Sequence, residues 1–388
     1  MDRTQVGIVG AGPAGLMLAH LLSRAGIDSV VLEQRTRAAV EGTVRAGVLE
    51  QATVELLTES GLGARLQREG VPHTGVELRF EGEHCRIDLA ALTGGRRITL
   101  YAQHEVLKDL IAAREAAGAP PQFEATVEGL QDVAGQLPLI HYRVQGRQAQ
   151  LACDFIVGAD GYHGPVRQYI PAKHRHEMQR LWPFAWFGIL LEAPRISTEL
   201  IYARHTEGFA LASSRSDSLQ RLYFQVPPDT RVEDWSGPAI LEVLERRLEL
   251  SSGWCTGAEA IRQRDVVGMR SFVCQTLRHG RLLLAGDAAH IVPPTGAKGM
   301  NLAIHDIRLL AEALIQHYQQ DDDRLLETYP ARALARVWQA QRFSWGMTSL
   351  LHLLDDEDDF QIGLKRAQFR QLMDSPSAAA AFARDYTG

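Results

Sequence analysis

Three glycines carry the clearest chemical signal. Gly10, Gly12 and Gly15 lie in the segment Gly10-Ala11-Gly12-Pro13-Ala14-Gly15, between an apolar run at residues 6–9 and a stretch of helical apolar spacing at residues 16–24. Eighteen residues past Gly15, Glu33 closes a second apolar run. GxGxxG alone is a weak signal, but strand, turn, helix and strand around it make it a dinucleotide-binding fingerprint. The glycines allow the turn and let the backbone approach a pyrophosphate at the helix N-terminus, where free N–H groups and partial positive charge favour an anion. Gly10, Gly12, Ala14 and Gly15 are therefore candidate cofactor contacts, and Glu33 is the acceptor for adenosine ribose hydroxyls. A second segment, Gly-Arg-Leu-Leu-Leu-Ala-Gly-Asp-Ala-Ala-His at residues 280–290, places Asp287 just beyond a buried strand. A carboxylate there can hold a sugar-alcohol hydroxyl.

The elements that must position these residues follow from the apolar pattern. The first forty residues read as a βαβ unit. Strand-like alternation begins near residue 73, at Val76-Glu77-Leu78-Arg79-Phe80, and a helical segment follows at 105–115. A further apolar run, residues 154–161, ends in Asp160-Gly161; short apolar and aromatic runs between 182 and 227 then predict an antiparallel sheet. From Lys298 onward the pattern is helical, with Leu302, Ala303, Ile307, Leu310 and Leu314 on one face. The expected fold is α/β in several parts: a dinucleotide-binding domain at 1–175 with a strand-rich excursion near 73–100, a sheet-rich substrate domain at 176–290 that returns to the cofactor at 280–290, and a helical domain at 291–388.

Composition narrows the partners. The chain has 388 residues, 41 Lys+Arg against 47 Asp+Glu, a net charge of -6 and no basic block, which argues against nucleic acid or an anionic membrane and for a small ligand. Cys85, Cys153, Cys255 and Cys274 are too far apart for a CxxC, a metal site or a disulfide framework, so a reducing, cytoplasmic setting is expected. The acidic runs at 321–323 and 355–359 read as solvated loops. No apolar run reaches the ~18 residues of a membrane span, and glycines and a proline interrupt the apolar start, unlike a signal sequence.

GxGxxG, Asp160-Gly161 and Gly286-Asp287 at these separations resemble the FAD-dependent aromatic hydroxylases. Residues 45–50, 199–202, 208–211, 235–236, 270–272, 289–298 and 342–345 are similar to the branch of that family acting on 4-hydroxybenzoate. The resemblance implies an FAD-binding domain, a substrate domain and a helical interface domain in a homodimer. It implies a substrate site at Tyr202, Ser213, Arg215, Tyr223, Pro294 and Tyr386, with Arg215 gripping the carboxylate as a planar bidentate donor. At the phenol end Tyr202 would accept the proton and pass it through Tyr386 and water to His73. For FAD it implies Glu33, Arg45, Gln103, Asp160, Asp287, Lys298, Met300 and Asn301, and for a transient nicotinamide cofactor Arg45, His163 and Arg270.

In the implied reaction NAD(P)H reduces FAD, O₂ adds at the flavin C4a, and one oxygen is inserted ortho to the phenolate to give 3,4-dihydroxybenzoate. Where the family's better known pattern has Arg, Gln, Tyr and Arg around the NADPH 2′-phosphate, this chain has Gln34, Arg35, Ala39 and Thr43 in a different arrangement, so use of both NADPH and NADH is expected. Because Arg215 reads only a carboxylate, 4-aminobenzoate and 3,4-dihydroxybenzoate stay open as alternative substrates. A flavin halogenase is disfavoured because residues 182–186, WPFAW, lack WxWxIP; a non-enzymatic flavin sensor would need neither the relay nor a nicotinamide site.

Overall fold

The computed structural model describes residues 2–43, 47–251, 253–254, 257–355 and 357–388. Four strands form the parallel core of a seven-stranded sheet: Leu282–Leu284, Arg147–Gly158, Asp2–Val9 and Ser29–Leu32, in that spatial order. Their central residues read as continuous apolar runs because both sheet faces are covered. Val6, Ile8, Phe155, Ile156, Val157 and Leu282 to Leu284 are fully buried, sharing one core with apolar residues of the helices Pro13–Arg24, Gln103–Ala116 and Gly299–Gln320.

The register aligns the ends of these strands. Leu32 lies opposite Val9, Val9 opposite Gly158, and Gly158 opposite Leu284. Main-chain bonds carry the pairing one residue further, from Gly10 N to Leu32 O, Ala159 N to Val9 O and Ala285 N to Gly158 O, at 2.8, 2.8 and 3.0 Å. Glu33, the glycine turn, Asp160 and Gly286-Asp287 therefore leave the sheet side by side at its carboxyl edge, the place where open parallel sheets bind ligands.

The second sheet has eight strands in the order His290–Ile291, Ile261–Cys274, Glu177–Glu192, Leu219–Val226, Gly208–Ser214, Leu200–His205, Gly75–Phe80, Glu83–Asp88. The strand pair at 75–88 belongs to it, so the early excursion completes the later sheet. One face packs Phe187, Ile189, Leu222 and Phe224 on the helix Gly237–Arg247. The other packs Trp186, Tyr202, Leu211 and Tyr223 towards Phe343, Met347, Phe382 and Tyr386 of the C-terminal helices.

That second face is organised by register. Asp265, Gly188, Tyr223, Leu211, Tyr202 and Leu78 are successive cross-strand partners on six neighbouring strands. Directly paired residues point to the same side of a sheet, and so do residues two apart on a strand. Ser213 and its partner Arg221 thus form the next row on the same face.

The helix Gly299–Gln320, which the sequence division at 290/291 assigns to the C-terminal part, buries its apolar face in the core of the first sheet. The last helix, Pro376–Thr387, starts at an N-cap where the Ser375 side chain accepts from Ala378 N, with Pro376 in its first turn. Phe382 and Tyr386, four residues apart, then face the second sheet, and Tyr386 is only 2% exposed. Among the described residues no helix is long and apolar enough to cross a membrane.

A Cβ on Gly188 would fall 2.6 Å from Asp265 Oδ1 and 2.7 Å from Tyr223 Cε1. Gly188→Ala is expected to cost about 1–3 kcal/mol, the scale of overpacking, seen as a lower urea midpoint at unchanged m-value.

Candidate active site

The glycine turn divides its work. Gly10 has φ +106°, and a Cβ there would lie 2.3 Å from Ala159 O; one on Gly15 would lie 2.0 Å from Gly10 O. These two glycines let the turn close on the sheet and on itself. A Cβ on Gly12 meets nothing within 4 Å. The space above it is open, at the start of a helix that no side chain caps, so the room and the donors for a pyrophosphate are both present.

Around this cradle stand the other expected cofactor residues. The Glu33 carboxylate is 5% exposed; it accepts from Ala11 N at 2.8 Å and from the main chain and Nε of Arg35 at 3.0 Å each. Asp160 accepts from Val166 N at 2.9 Å, while its Oδ1 is buried without a partner. Burial pushes its pKa up to about 6. Gly286, at φ +63°, donates its N–H to Asp306 Oδ2 at 2.9 Å, and the same oxygen holds His290 Nε2 at 2.6 Å. This buried pair fixes the turn that presents Asp287, and sequence reasoning missed it because its halves lie sixteen residues apart on different elements.

The side chains of Lys298 and Asn301, at the helix start whose main-chain N–H groups the sequence reading offers to the flavin, are held by protein groups. Lys298 Nζ bonds Glu50 and, at 3.0 Å, Tyr386 O. Asn301 accepts from Glu50 N and Thr53 Oγ1 at 2.9 Å, and donates to Val48 O and Ala297 O at 2.9 and 3.0 Å. Their side chains brace residues 48–53 and the last helix against the start of the helix Gly299–Gln320. What remains for a ligand there is the main chain of its first turn, including Met300. Gln103 is half-buried at the start of its own helix. Arg45 lies outside the described residues.

On the second sheet the expected substrate residues come together at two ends of one face. Ser213 Oγ is buried without a partner. Arg215, half-buried at the hairpin where its N–H bonds Leu219 O at 2.8 Å, has no carboxylate partner for its guanidinium among the described residues. Burial lowers its pKa, with Tyr223 opposing. The Tyr223 hydroxyl accepts from Arg221 Nε at 2.9 Å, which leaves its own proton to be donated. Arg221 was not singled out from sequence, although its place two residues before Tyr223 on an alternating strand was a usable signal.

Tyr202 lies two strands from Tyr223, about 10 Å at usual strand spacing, room for one aromatic ring with a polar group at each end. Its hydroxyl is 2.7 Å from that of Tyr386. Burial pushes the Tyr202 pKa up to about 12, against the bond to Tyr386, and burial raises Tyr386 further. His73 is 2% exposed, its Nδ1 unpartnered, and burial followed by the charge of Arg195 lowers its pKa to about 4. No direct bond joins it to Tyr386, so a link between them needs water. Pro294 begins a single turn seated on the helix Arg324–Leu351, where Thr348 Oγ1 donates to the buried Thr295 Oγ1 at 3.0 Å.

The expected nicotinamide residues sit further out. His163 is exposed, and the Arg270 guanidinium lies 4.1 Å from the centre of the Tyr162 ring. Arg37 is held by Glu41 and Glu115, both at 2.7 Å, while Arg35 rests on Glu33. A shallow groove of about 600 Å³ between Leu21, Leu56, Ile315 and Leu325 shares no residue with this site.

A parallel-sheet edge with an open glycine turn lies beside a sheet face that carries a guanidinium without a carboxylate partner among the described residues. Residues 3–344 match the family described as FAD binding domain, and the chain belongs to that family. It is 42% identical over 386 residues to the p-hydroxybenzoate hydroxylase of Acinetobacter baylyi, covering all of this chain and 95% of the relative. These matches make it an FAD-dependent aromatic hydroxylase, an oxidoreductase of the monooxygenase class. Its fold is shared with p-nitrophenol 4-monooxygenase from Pseudomonas putida DLL-E4, at TM-score 0.86 and 20% identity over 100% of this chain and 99% of that one. The flavin-dependent halogenase CmlS also shares it, at TM-score 0.79 and 18% identity over 97% and 72%. The fold alone therefore does not choose the reaction.

The glycine geometry separates folding from cofactor binding. Gly12→Ala is expected to leave the melting temperature of flavin-free protein unchanged and weaken FAD binding by about tenfold or more. Gly10→Ala, with its Cβ against main chain at positive φ, is expected to destabilise the flavin-free protein as well. Thermal melts with and without FAD distinguish the two.

Proposed function

We propose that this chain hydroxylates 4-hydroxybenzoate beside its phenol, forming 3,4-dihydroxybenzoate. The observation that carries the reading is one sheet face with an uncompensated Arg215 at one end and the Tyr202–Tyr386 hydroxyl pair at the other. The name of the relative that is 42% identical supports it. The glycine cradle would hold FAD, which would carry the electrons taken from NAD(P)H and activate O₂, one oxygen atom going to the ring and the other to water.

The chain's own residues bind, orient and deprotonate the substrate. Arg215 grips the carboxylate through two parallel N–H bonds, with Ser213 and Tyr223 hydroxyls completing the shell. Tyr202 faces the phenol and takes its proton while handing its own to Tyr386. Lys298 bonds the Tyr386 carbonyl and fixes that residue's place in the relay. His73, kept neutral by burial and the charge of Arg195, can take a proton through water only in passing and hand it on towards solvent. Removing the phenol proton raises electron density on the ring carbon to be attacked, and the buried walls exclude water that would divert the oxidant to peroxide. His163 and Arg270 receive the nucleotide pyrophosphate in this reading.

The assembly proposed is a homodimer. Trp338 and Trp345, each 43% exposed and two turns apart on one helix, with Trp345 against Trp182, form an apolar surface suited to a second copy. The buried, unpaired Cys85, Cys153 and Cys274 support a reducing compartment such as the cytoplasm.

Two variants test the two ends of the site. Arg215→Lys should weaken 4-hydroxybenzoate binding by about 1.5–3 kcal/mol, because a point charge cannot replace the fork; a dissociation constant within twofold of the parent contradicts the clamp. Tyr202→Phe should still bind substrate and oxidise nucleotide, but release most of the oxygen as peroxide. Efficient hydroxylation by that variant would remove Tyr202 from the mechanism.

The nucleotide preference follows from the ion pairs of the segment after Glu33. Arg37 is shared by two carboxylates and Arg35 by one, so a 2′-phosphate would have to exchange these exposed pairs and meets no preformed fork there. Exposed pairs contribute about 1 kcal/mol or less, so both nucleotides should be used within about tenfold of each other. Steady-state kcat/KM at low and high ionic strength checks this; a hundredfold preference unchanged by salt contradicts it.

A further inference from the structure

Asp265 stands at the end of the row that contains Tyr223, on the strand Ile261–Cys274, separated from Tyr223 only by Gly188. Both its oxygens accept from one nitrogen of Arg221, at 2.7 and 2.9 Å. Arg221 in turn donates Nε to the Tyr223 hydroxyl, its guanidinium lies 4.7 Å from the Tyr223 ring, and its Nη1 is buried without a partner. The Arg221 side chain is 3% exposed and that of Asp265 is 32% exposed. The anion thus reaches the pocket from its rim and holds a cation that lies inside.

Two guanidiniums share this face. Arg221 is the cross-strand partner of Ser213, and Arg215 follows Ser213 by two residues at the same hairpin. One is paired with Asp265 and the other has no carboxylate among the described residues. Resting on the substrate reading above, we propose that Asp265 is a specificity-determining residue that sets the charge of the carboxylate pocket. By neutralising Arg221 it leaves Arg215 as the uncompensated cation, matched to one carboxylate. It also fixes Arg221 so that Tyr223 accepts from it and directs its own hydroxyl proton at the substrate.

Without that anion the pocket would offer two positive charges to a singly charged acid, and product carrying the same carboxylate would be held too long. Asp265→Asn keeps the shape and one acceptor oxygen but removes the charge. The probes are 4-hydroxybenzoate and its neutral isostere 4-hydroxybenzamide, titrated against the FAD-loaded protein by flavin fluorescence. In Asp265→Asn the acid should tighten relative to the amide by about fivefold, the scale of one partly screened charge a few ångströms away. The kcat for the acid should fall together with KM, and Asp265→Glu should keep the parent's ratio. An acid-to-amide ratio within twofold of the parent overturns the proposal, as does a change equal for both ligands. Asp265→Ser gives the same reading if the Asn variant does not load flavin. A parent protein that binds the amide as tightly as the acid overturns the substrate reading itself, whereas a parent selective for the acid with an unmoved ratio in the variants overturns only the role of Asp265.

Discussion

The two-residue alternation of side chains along paired strands is the constraint on which the site depends. Once Gly188 is opposite both Tyr223 and Asp265, and Leu211 opposite both Tyr223 and Tyr202, the two tyrosines must share a face two strands apart. A slip of one residue in the hairpin 208–226 would send Tyr223 and Arg221 to the opposite face, among Phe187, Ile189 and the helix Gly237–Arg247, and turn Phe224 towards the polar site. Apolar burial on both sides of the sheet therefore protects the geometry of a polar site: any slip would bury the guanidinium-bearing positions in hydrocarbon and fill the polar site with aromatic rings.

The second sheet must then meet the first, and buried polar bonds make that junction. Lys298, Glu50 and Asn301 tie the segment 48–53 to the start of the helix Gly299–Gln320 and to the Tyr386 carbonyl. Arg336 reaches Glu50 from a further helix at 3.0 Å. Burial lowers the Lys298 pKa, with Glu50 opposing, and the buried side chain is held by its bonds to Glu50 and the Tyr386 carbonyl. One network thus sets the distance between the cofactor edge and the hydroxyl of Tyr386. The Asp306–His290 pair does the corresponding work under Gly286, one strand away.

Legibility in the sequence tracked the range of the interaction. The glycine turn, Glu33 and the strands ending at Gly158 and Leu284 were readable because each signal is local: an apolar run, then residues whose conformation the turn requires. The helical face from Leu302 to Leu314 was readable by period, yet period does not say which core it enters, and it enters the first one. Tyr202, Ser213, Arg215 and Tyr386 were assigned by resemblance, since no spacing rule brings residues 202 and 386 to 2.7 Å. Asp265 and Glu50 acquire meaning only through partners far along the chain. Lys298 and Asn301 carried the right residue types, but sequence could not show that protein groups already occupy their side chains.

In the proposed reaction this face holds 4-hydroxybenzoate with its phenol at Tyr202 and presents it to the flavin for oxygen insertion. Its most direct test is the stoichiometry of the unmodified enzyme with FAD, 4-hydroxybenzoate and NADH or NADPH in air. Close to one 3,4-dihydroxybenzoate formed per nucleotide oxidised, with little peroxide, is the expected result. Nucleotide oxidation that yields peroxide in place of the dihydroxy acid, or that 4-hydroxybenzoate does not stimulate, would contradict it.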